Sequence, residues 1–201
     1  MSRTARITIA IIVILAISLF AWTAVHALWY APDSISVAAP AVSTSSIPVA
    51  TSSFPSRLII PSLGIDADVQ HVGVNAQGNM RAPSNFTDVS WYEYGTVPGY
   101  IGSAVMAGHV DNGLGLDGVF KHLDSLKVGD DVYIEENGGS RLHFRVTDIE
   151  AYPYQSVPTQ MLFAAADTAR LNLITCEGAW VNGKDTYDHR LVIYTVLVGN
   201  S

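Results

Sequence analysis

Residues 130–152, DDVYIEENGGSRLHFRVTDIEAY, contain two short segments of alternating apolar and polar residues around a turn sequence. Val132–Glu136 and Arg141–Tyr152 both have the period of two that is typical of strands with one buried face. The intervening NGG supplies the residue types that tight hairpin turns need. This stretch therefore predicts a β-hairpin and points to an antiparallel fold.

Short β-branched segments separated by turn residues continue on both sides of the hairpin. Further strands are predicted in RLIIPSLGIDADVQHVGV (57–74), GSAVMAGHV (102–110), RLNLITC (170–176) and RLVIYTVLV (190–198). Two stretches read as short helices, GVFKHLDSL (118–126) and TQMLFAAADTAR (159–170). Many short strands with few helices favour a mostly antiparallel barrel or a sandwich.

The amino-terminal 56 residues differ in composition from the rest of the chain. Residues 1–30 hold an uncharged apolar run from Ile7 to about Leu28, and roughly 20 residues suffice to cross the ~30 Å hydrocarbon core of a membrane. Residues 31–56 are rich in Pro, Ser, Ala and Thr, a composition typical of a tether. We therefore predict an anchor, a linker and one folded domain over residues 57–201.

The flanks of the apolar run predict its orientation. Arg3 and Arg6 precede it, which favours a cytoplasmic amino terminus, and the aromatic residues Trp22, Trp29 and Tyr30 lie toward the other end. The alternative is a cleaved signal peptide, since VHA before Leu28 loosely fits a cleavage site, although the run is longer than the usual apolar region of a signal. Both readings place residues 57–201 outside the cytoplasm.

The charge balance excludes one class of partner. The 201-residue chain has 11 basic and 18 acidic residues, a net charge of −7. Because an acidic surface repels phosphate backbones, we do not expect a nucleic-acid partner.

The single cysteine, Cys176, is a candidate nucleophile. An exported domain normally pairs its cysteines, and this one has no second cysteine to pair with. It follows an apolar strand and precedes EGAWVNGKDTYDH (177–189), which reads as a loop, so the thiol is expected at a rim where substrate reaches it. The alternative is that Cys176 is a small buried hydrophobe.

A thiol nucleophile needs a base, because a free cysteine is mostly protonated at neutral pH. Of the six histidines, His109 stands out, since the strand GSAVMAGHV delivers it just before a Gly- and Asp-rich loop. Ala107 and Gly108 leave room for another strand or a substrate to approach closely. The remaining five read as an anchor residue or as surface and loop residues, namely His26, His71, His122, His143 and His189.

Arg190 opens the apolar strand RLVIYTVLV and is the third candidate. It reads either as a surface charge with ion-pair partners among Glu177, Asp185 and Asp188, or as a fixed cation that donates hydrogen bonds to an oxyanion. Together Cys176, His109 and Arg190 form a chemical set of nucleophile, acid/base and electrophilic donor.

These residues carry a resemblance to the sortases, the membrane-anchored cysteine transpeptidases of bacterial surfaces, and most to the class F group of actinobacteria. It covers about Arg57 to Val198, in RLIIPSLGIDADV, SWYEYGTVPGYIGSAVMAGHVD, VFKHLDSLKVGD, LNLITC and YDHRLVIYTV. The family pattern before the nucleophile is Thr-Leu-any-Thr-Cys, and Asn172 stands here in place of the first threonine. The order His, then Cys, then Arg matches the family.

The resemblance implies an eight-stranded β-barrel and a transpeptidation reaction. Cys176 would attack the Thr–Gly bond of a Leu-Pro-any-Thr-Gly-like sorting signal on a surface protein, with Arg190 stabilising the oxyanion and His109 protonating the leaving amine. An amine from a peptidoglycan precursor or a pilin lysine would then resolve the thioester. The implied location is the cell membrane, with a single pass and an extracellular catalytic domain.

The resemblance also implies where the substrate lies. The groove wall would come from YPYQSVPTQMLFAAADTAR (152–170), and the residues that could contact the apolar motif are Ala104, Val157, Pro158, Met161, Leu162 and Thr175. The alternative is that they simply cover the barrel. No cofactor or metal is expected, since HVDNGLGLDG (109–118) lacks the ligand register of a calcium loop.

Three rival readings remain to be compared with this one. Papain-like peptidases place the cysteine before the histidine, and the motif of L,D-transpeptidases does not match TCEGAW (175–180). A noncatalytic, membrane-tethered β domain that binds a surface ligand, with Cys176 inert, is the alternative from a different functional class.

Overall fold

The computed structural model describes residues 3–29, 37–39, 54–163 and 165–200. The chain divides into one unit of residues 1–30 and another from residue 31 onward. The first unit is helix α1 (Arg3–Trp29), whose stretch Thr4–Leu28 is long and apolar enough to cross a membrane. This length and composition suit a membrane anchor and a signal sequence alike.

The strands of the second unit form a closed barrel with the spatial order β1-β2-β3-β4-β7-β8-β6-β5. Neighbouring strands are antiparallel except for the pairs β2–β3 and β4–β7, which are parallel. The prediction of a mostly antiparallel barrel with short helices is thus confirmed, and the sandwich alternative is wrong. The elements are β1 (Pro55–Ile60), β2 (Ile65–Val72), β3 (Val89–Tyr92), β4 (Gly102–Gly108), β5 (Asp131–Glu136), β6 (Arg141–Pro153), α2 (Thr159–Phe163), β7 (Ala169–Val181) and β8 (Thr186–Asn200).

The alternation of side chains along the strands separates two apolar clusters. Successive residues of a strand point to opposite faces of the sheet. One face fills the barrel and forms the barrel core, which includes Leu58, Met106, Phe144, Leu173 and Ile193. The other face forms the outer cluster, in which α2 packs on β4. Side chains of β7 and β8 also belong to this cluster, which includes Val105, Ala107, Leu162, Ile174, Cys176 and Val192.

The two predicted short helices are present in shorter form. Helix α2 begins at Thr159, where the carbonyl of Pro158 accepts hydrogen bonds from the backbone N–H groups of Met161 and Leu162 at 2.9 and 3.1 Å. The second predicted helix, over residues 118–126, is reduced to a 3-10 turn at Leu123–Ser125.

The predicted hairpin is confirmed, and one predicted loop is wrong. The antiparallel register of β5 and β6 continues into a turn in which Glu136 N–H donates to the carbonyl of Ser140 at 2.9 Å. The stretch 177–189, predicted as a loop, is instead the hairpin of β7 and β8. Its loop-like composition has a physical cause, because Gly178, at φ +86°, lies in a bulge that interrupts the alternation.

The predicted linker is not wholly detached from the folded unit. Ala38 forms an isolated antiparallel bridge with Asn79, and the carbonyl of Val37 accepts a hydrogen bond from the N–H of Met80 at 2.9 Å. Val37 is buried in the outer cluster. The structure therefore differs from a simple tether at residues 37–39, while residues 30–36 and 40–53 lie outside the described residues.

Candidate functional site

The three candidate residues lie on the same face of the sheet. His109 continues the outward series of Val105 and Ala107 on β4, and Cys176 and Arg190 belong to the outward series of β7 and β8. All three are buried, with exposed fractions of 2% for His109, 2% for Cys176 and 0% for Arg190. Of the two readings of Arg190, the surface charge is therefore wrong.

The register of the three strands brings the candidates together. Cys176 is directly opposite Arg190 in the antiparallel pair β7–β8, where facing Cβ atoms are about 4.5–5.5 Å apart. In the parallel pair β4–β7, Ala107 is opposite Ile174. Continued by two residues from this pair, which is one residue past the end of β4, the register places His109 beside Cys176. Cys176 therefore lies on the middle strand of the three.

A hydrogen bond holds the strand end that carries His109. The Thr175 hydroxyl donates to the carbonyl oxygen of Gly108 at 2.8 Å, and both residues adjoin a member of the candidate set. Thr175 is 2% exposed, so this bond is shielded from water. The bond fixes the end of β4 against β7 at the level of the thiol.

The hydrogen bond of His109 determines which ring nitrogen carries the hydrogen of the neutral ring. Its Nε2 lies 3.0 Å from the carbonyl oxygen of Pro83. Because a carbonyl only accepts, Nε2 carries the hydrogen in this bond. Nδ1 is then the basic nitrogen of the neutral ring, and it is the atom that can take a proton from a thiol.

Close packing around two glycines fixes the backbone next to His109. A Cβ at Gly108 would lie 2.5 Å from an edge carbon of the Phe120 ring, and a Cβ at Gly118 would overlap the carbonyl oxygen of His109. The sequence led us to expect room for a strand or substrate at Gly108, and the group that takes this room is the Phe120 ring. Phe120 N–H also donates to the His109 carbonyl at 2.9 Å.

The guanidinium of Arg190 is held by neutral oxygen atoms of its own hairpin. Nη1 donates to the carbonyls of Tyr187 and His189 at 3.1 and 2.9 Å, and Nη2 donates to the Thr186 hydroxyl at 2.7 Å. These contacts hold the planar guanidinium in place. None of these three acceptors carries a negative charge that would compensate the positive charge of the guanidinium. A fixed cation next to a thiol can stabilise a thiolate or an oxyanion.

A cavity of about 130 Å³ opens beside the thiol. Burial, followed by the charge of Asp124, raises the pKa of Glu177, which lines this cavity. The charged residues that line the cavity with Cys176 are the acidic Asp124 and Glu177 and the basic Lys121. Its lining residues are Val110, Phe120, Lys121, Asp124, Thr175, Cys176, Glu177, Gly178, Tyr187 and Leu191.

The structure separates the six expected substrate residues into different environments. Thr175 lines the cavity, and Val157 and Leu162 pack in the outer cluster that contains Cys176. Met161 is 62% exposed on α2. Pro158 is half-buried at the start of the same helix. Ala104 has no exposed surface and belongs to the barrel core, which favours the packing alternative for this residue.

The other histidines of the barrel strands have structural partners. His143 lies 2.7 Å from a carboxylate oxygen of Asp131, and Nε2 of His71 lies 2.8 Å from the carbonyl of Pro55. His189 pairs with its neighbour Asp188 at 2.8 Å. Within the described residues, no group of three His, Cys, Asp or Glu side chains is arranged to hold a metal ion.

Sequence reasoning missed a contact between Asp111 and Tyr187. The Tyr187 hydroxyl donates a hydrogen bond to the Asp111 carboxylate. Asp111 lies two positions after His109, and Tyr187 lies three positions before Arg190. This closeness in sequence to two candidate residues is the only signal of the contact that the sequence offered. A tyrosine in an apparent loop gave no further indication of a partner 76 residues away.

Comparison with known proteins identifies the fold and the family. A family model described as "Sortase domain" matches residues 58–198. A search of curated proteins gave no match.

Solved structures of several sortases resemble the chain. Sortase A from Corynebacterium diphtheriae is 20% identical with a TM-score of 0.56, and the match covers 78% of this chain and 63% of that one, less than two thirds of its length. A Clostridium perfringens sortase D5 transpeptidase is 18% identical with a TM-score of 0.54, covering 73% of this chain and 79% of that one. Sortase C-1 from Actinomyces oris is 24% identical with a TM-score of 0.53, covering 72% and 73%. At these identities the structures show a shared fold, and together with the family model they show that the chain belongs to the sortase family, whose members are generally cysteine transpeptidases.

Proposed function

We propose that the chain is a cysteine transpeptidase that cleaves a Leu-Pro-any-Thr-Gly-like sorting signal between threonine and glycine. One observation carries the proposal: the buried Cys176 lies opposite the buried Arg190, with His109 on the same face of the adjoining strand. This set supplies a nucleophile, a cation and a base in one place. Membership of the sortase family supports the same role in general.

In the first half-reaction, the Cys176 thiolate attacks the threonyl carbonyl carbon and an S–C bond forms. The carbonyl electron pair moves to oxygen, and Arg190 stabilises that negative charge, which is where a positioned donor contributes most. As the tetrahedral intermediate collapses, the C–N bond to glycine breaks and His109 protonates the departing amine. A thioester between Cys176 and the threonine remains.

In the second half-reaction, a primary amine replaces the thiolate. His109, now neutral, takes a proton from the incoming amine as its nitrogen attacks the thioester carbonyl. The new amide bond forms, the thiolate leaves, and the Cys176–His109 pair returns to its starting state. The proposed amine donors are a peptidoglycan precursor or a pilin lysine.

We propose that the sorting signal lies along the outer cluster beside α2. Val157 and Leu162 already pack in that cluster, and Met161 presents an exposed apolar side chain next to them. Pro158 and Thr175 would complete the contacts at the start of α2 and at the cavity. Ala104 is left out of this set, because it belongs to the barrel core and not to the outer cluster.

We further propose an extracellular location and the class F group. Helix α1 would act as a retained single-pass anchor with its amino terminus in the cytoplasm, residues 31–56 as the linker, and residues 57–201 as the catalytic domain. Class F rests on the sequence resemblance, while the similar structures named above include sortases A, C and D.

The test uses the 201-residue chain in detergent, a Leu-Pro-any-Thr-Gly peptide library and mass spectrometry, with and without a glycine amine. Cleavage after threonine and amine-dependent ligation are expected, together with an added acyl mass on the protein. Cys176→Ala, His109→Ala and Arg190→Ala should each abolish product, whereas the control His143→Ala should retain it. If no peptide is cut and no acyl mass appears with any amine, the noncatalytic binding domain becomes the better assignment.

A further inference from the structure

The Tyr187–Asp111 hydrogen bond joins β8 to the loop that follows β4, and β4 and β8 are not neighbours in the barrel. Asp111 lies in the loop that follows β4, and Tyr187 lies at the start of β8. Between these strands runs β7, which carries Cys176. The hydrogen bond therefore crosses the middle strand next to the level of the thiol and connects the flanks that carry His109 and Arg190.

Tyr187 contacts the guanidinium through its backbone while its side chain reaches the loop. Its carbonyl accepts the hydrogen bond from Nη1 of Arg190 at 3.1 Å. The preceding residue, Thr186, accepts from Nη2 at 2.7 Å. A displacement of Tyr187 would thus change the position of the cation as well as the position of the loop.

The ring of Tyr187 is itself held in place beside the thiol. It lines the cavity together with Cys176 and packs edge-on against Trp180, with ring centroids 5.3 Å apart. Burial raises the pKa of Tyr187 well above its usual value, and the hydrogen bond to Asp111 and the charge of that carboxylate raise it further. The hydroxyl therefore stays protonated and donates to Asp111 throughout the neutral range.

The loop that receives this hydrogen bond is rigidly linked to His109. The backbone of Asp111 forms an isolated antiparallel β-bridge with that of Asp117, and Gly118 N–H donates to the carbonyl of Val110 at 2.9 Å. Gly118 also packs on the His109 carbonyl so closely that a Cβ would not fit. A displacement of Asp111 would consequently also displace the backbone of His109.

We propose that Asp111 and Tyr187 are positioning residues that fix His109 and Arg190 relative to each other across Cys176. The inference rests on the proposed transpeptidase function, since it concerns the geometry of the same catalytic set. It goes beyond that function by assigning a role to two residues outside the set of Cys176, His109 and Arg190.

The first test is a double-mutant cycle with Tyr187→Phe, Asp111→Ala and the double variant in the 201-residue chain. Each single change should lower kcat for a cleaved sorting peptide by about ten-fold, the scale of one charged hydrogen bond, with KM changed less than about two-fold. The double variant should also lose about ten-fold, because both changes break the same bond. A loss near a hundred-fold would show independent effects and overturn the proposal.

The second test needs no peptide. The rate at which iodoacetamide alkylates Cys176 is followed against pH, and its midpoint reports the thiolate. Asp111→Ala removes a negative charge, so electrostatics alone lower the midpoint, whereas displacement of His109 and Arg190 raises it. We expect a rise in both single variants, and an unchanged or lowered midpoint in Asp111→Ala would contradict the positioning role.

Tyr194→Phe is the matched control. It removes another half-buried hydroxyl from β8, one that is hydrogen-bonded to Tyr152 at 3.2 Å and does not line the cavity. It should leave kcat and the alkylation midpoint unchanged, and thermal unfolding of every variant measures any general loss of stability. If the wild-type chain cuts no peptide, the transpeptidase proposal fails, while the alkylation midpoints still decide whether the pair positions the cation and the base.

Discussion

Arg190→Lys keeps a positive charge at residue 190 and removes the planar fork. The guanidinium makes hydrogen bonds of 3.1, 2.9 and 2.7 Å to two carbonyls and a hydroxyl. The single nitrogen of lysine cannot reproduce the separate bonds of Nη1 and Nη2 and also face a substrate oxyanion. At least one buried oxygen atom loses its donor, which costs about 1–3 kcal/mol of the free energy of unfolding.

The effect on catalysis follows from the same geometry. Losing one positioned oxyanion donor lowers kcat by roughly 10²–10³-fold in enzymes of this kind of chemistry. We therefore expect kcat for the cleaved peptide to fall by about a hundred-fold or more in Arg190→Lys, although the charge is retained. The assay is steady-state cleavage of the best library peptide, with urea unfolding for stability.

The control is Arg145→Lys on β6. Arg145 forms an exposed ion pair with Asp131 at 3.1 Å, and such pairs contribute about 0–1 kcal/mol. Its kcat should stay within about two-fold of the wild type. If Arg190→Lys also kept kcat within about three-fold, charge alone would be sufficient, and our assignment of the fork geometry to oxyanion stabilisation would be wrong.

Three further predictions concern the residues around the site. Thr175→Val should lower the free energy of unfolding by about 1–3 kcal/mol in urea titrations, because the buried Gly108 carbonyl loses its donor. Gly118→Ala should lower both the melting temperature and kcat, since its Cβ meets the His109 carbonyl, and an unchanged kcat would show that the loop can yield. The hydrogen bond from its histidine neighbour lowers the pKa of Asp188, so its stabilisation is present above the unfolded pKa near 3.9 and is lost as pH falls through the lower folded value. Unfolding of Asp188→Asn should accordingly depend less on pH below about 4 than that of the wild type.

Local sequence patterns predicted the strands well, because burial of one face imposes a period of two over each segment. The hairpin of β5 and β6 was recognisable from NGG, which is a local signal. Strand β3 was not predicted, since Val89–Tyr92 has only four residues, all of them buried, and shows no alternation. The bulge at Gly178 concealed the extension of β7 to Val181, because an interrupted alternation resembles a loop.

Sequence alone nominated the candidate residues but could not predict their contacts. Which residue faces Cys176 depends on the register of β7 with β8, and register is a property of the assembled sheet. The burial of Arg190 was missed for the same reason, since an arginine at the start of a strand is usually exposed. The carbonyl and hydroxyl groups that hold it become acceptors only when the hairpin closes.

The topology places the proposed catalytic residues and Met161, a proposed peptide contact, on different elements. The parallel pair β4–β7 requires a long crossover connection, because parallel neighbours cannot be joined by a tight turn. That connection contains β5, β6 and α2, so the exposed Met161 lies on an element that can vary while the register of β4 with β7 stays fixed. The antiparallel β7–β8 hairpin instead places Tyr187 at the cavity, with Trp180 packed against its ring. Changes in the crossover should therefore alter peptide selection and leave thiol reactivity intact, whereas changes in the hairpin should alter both.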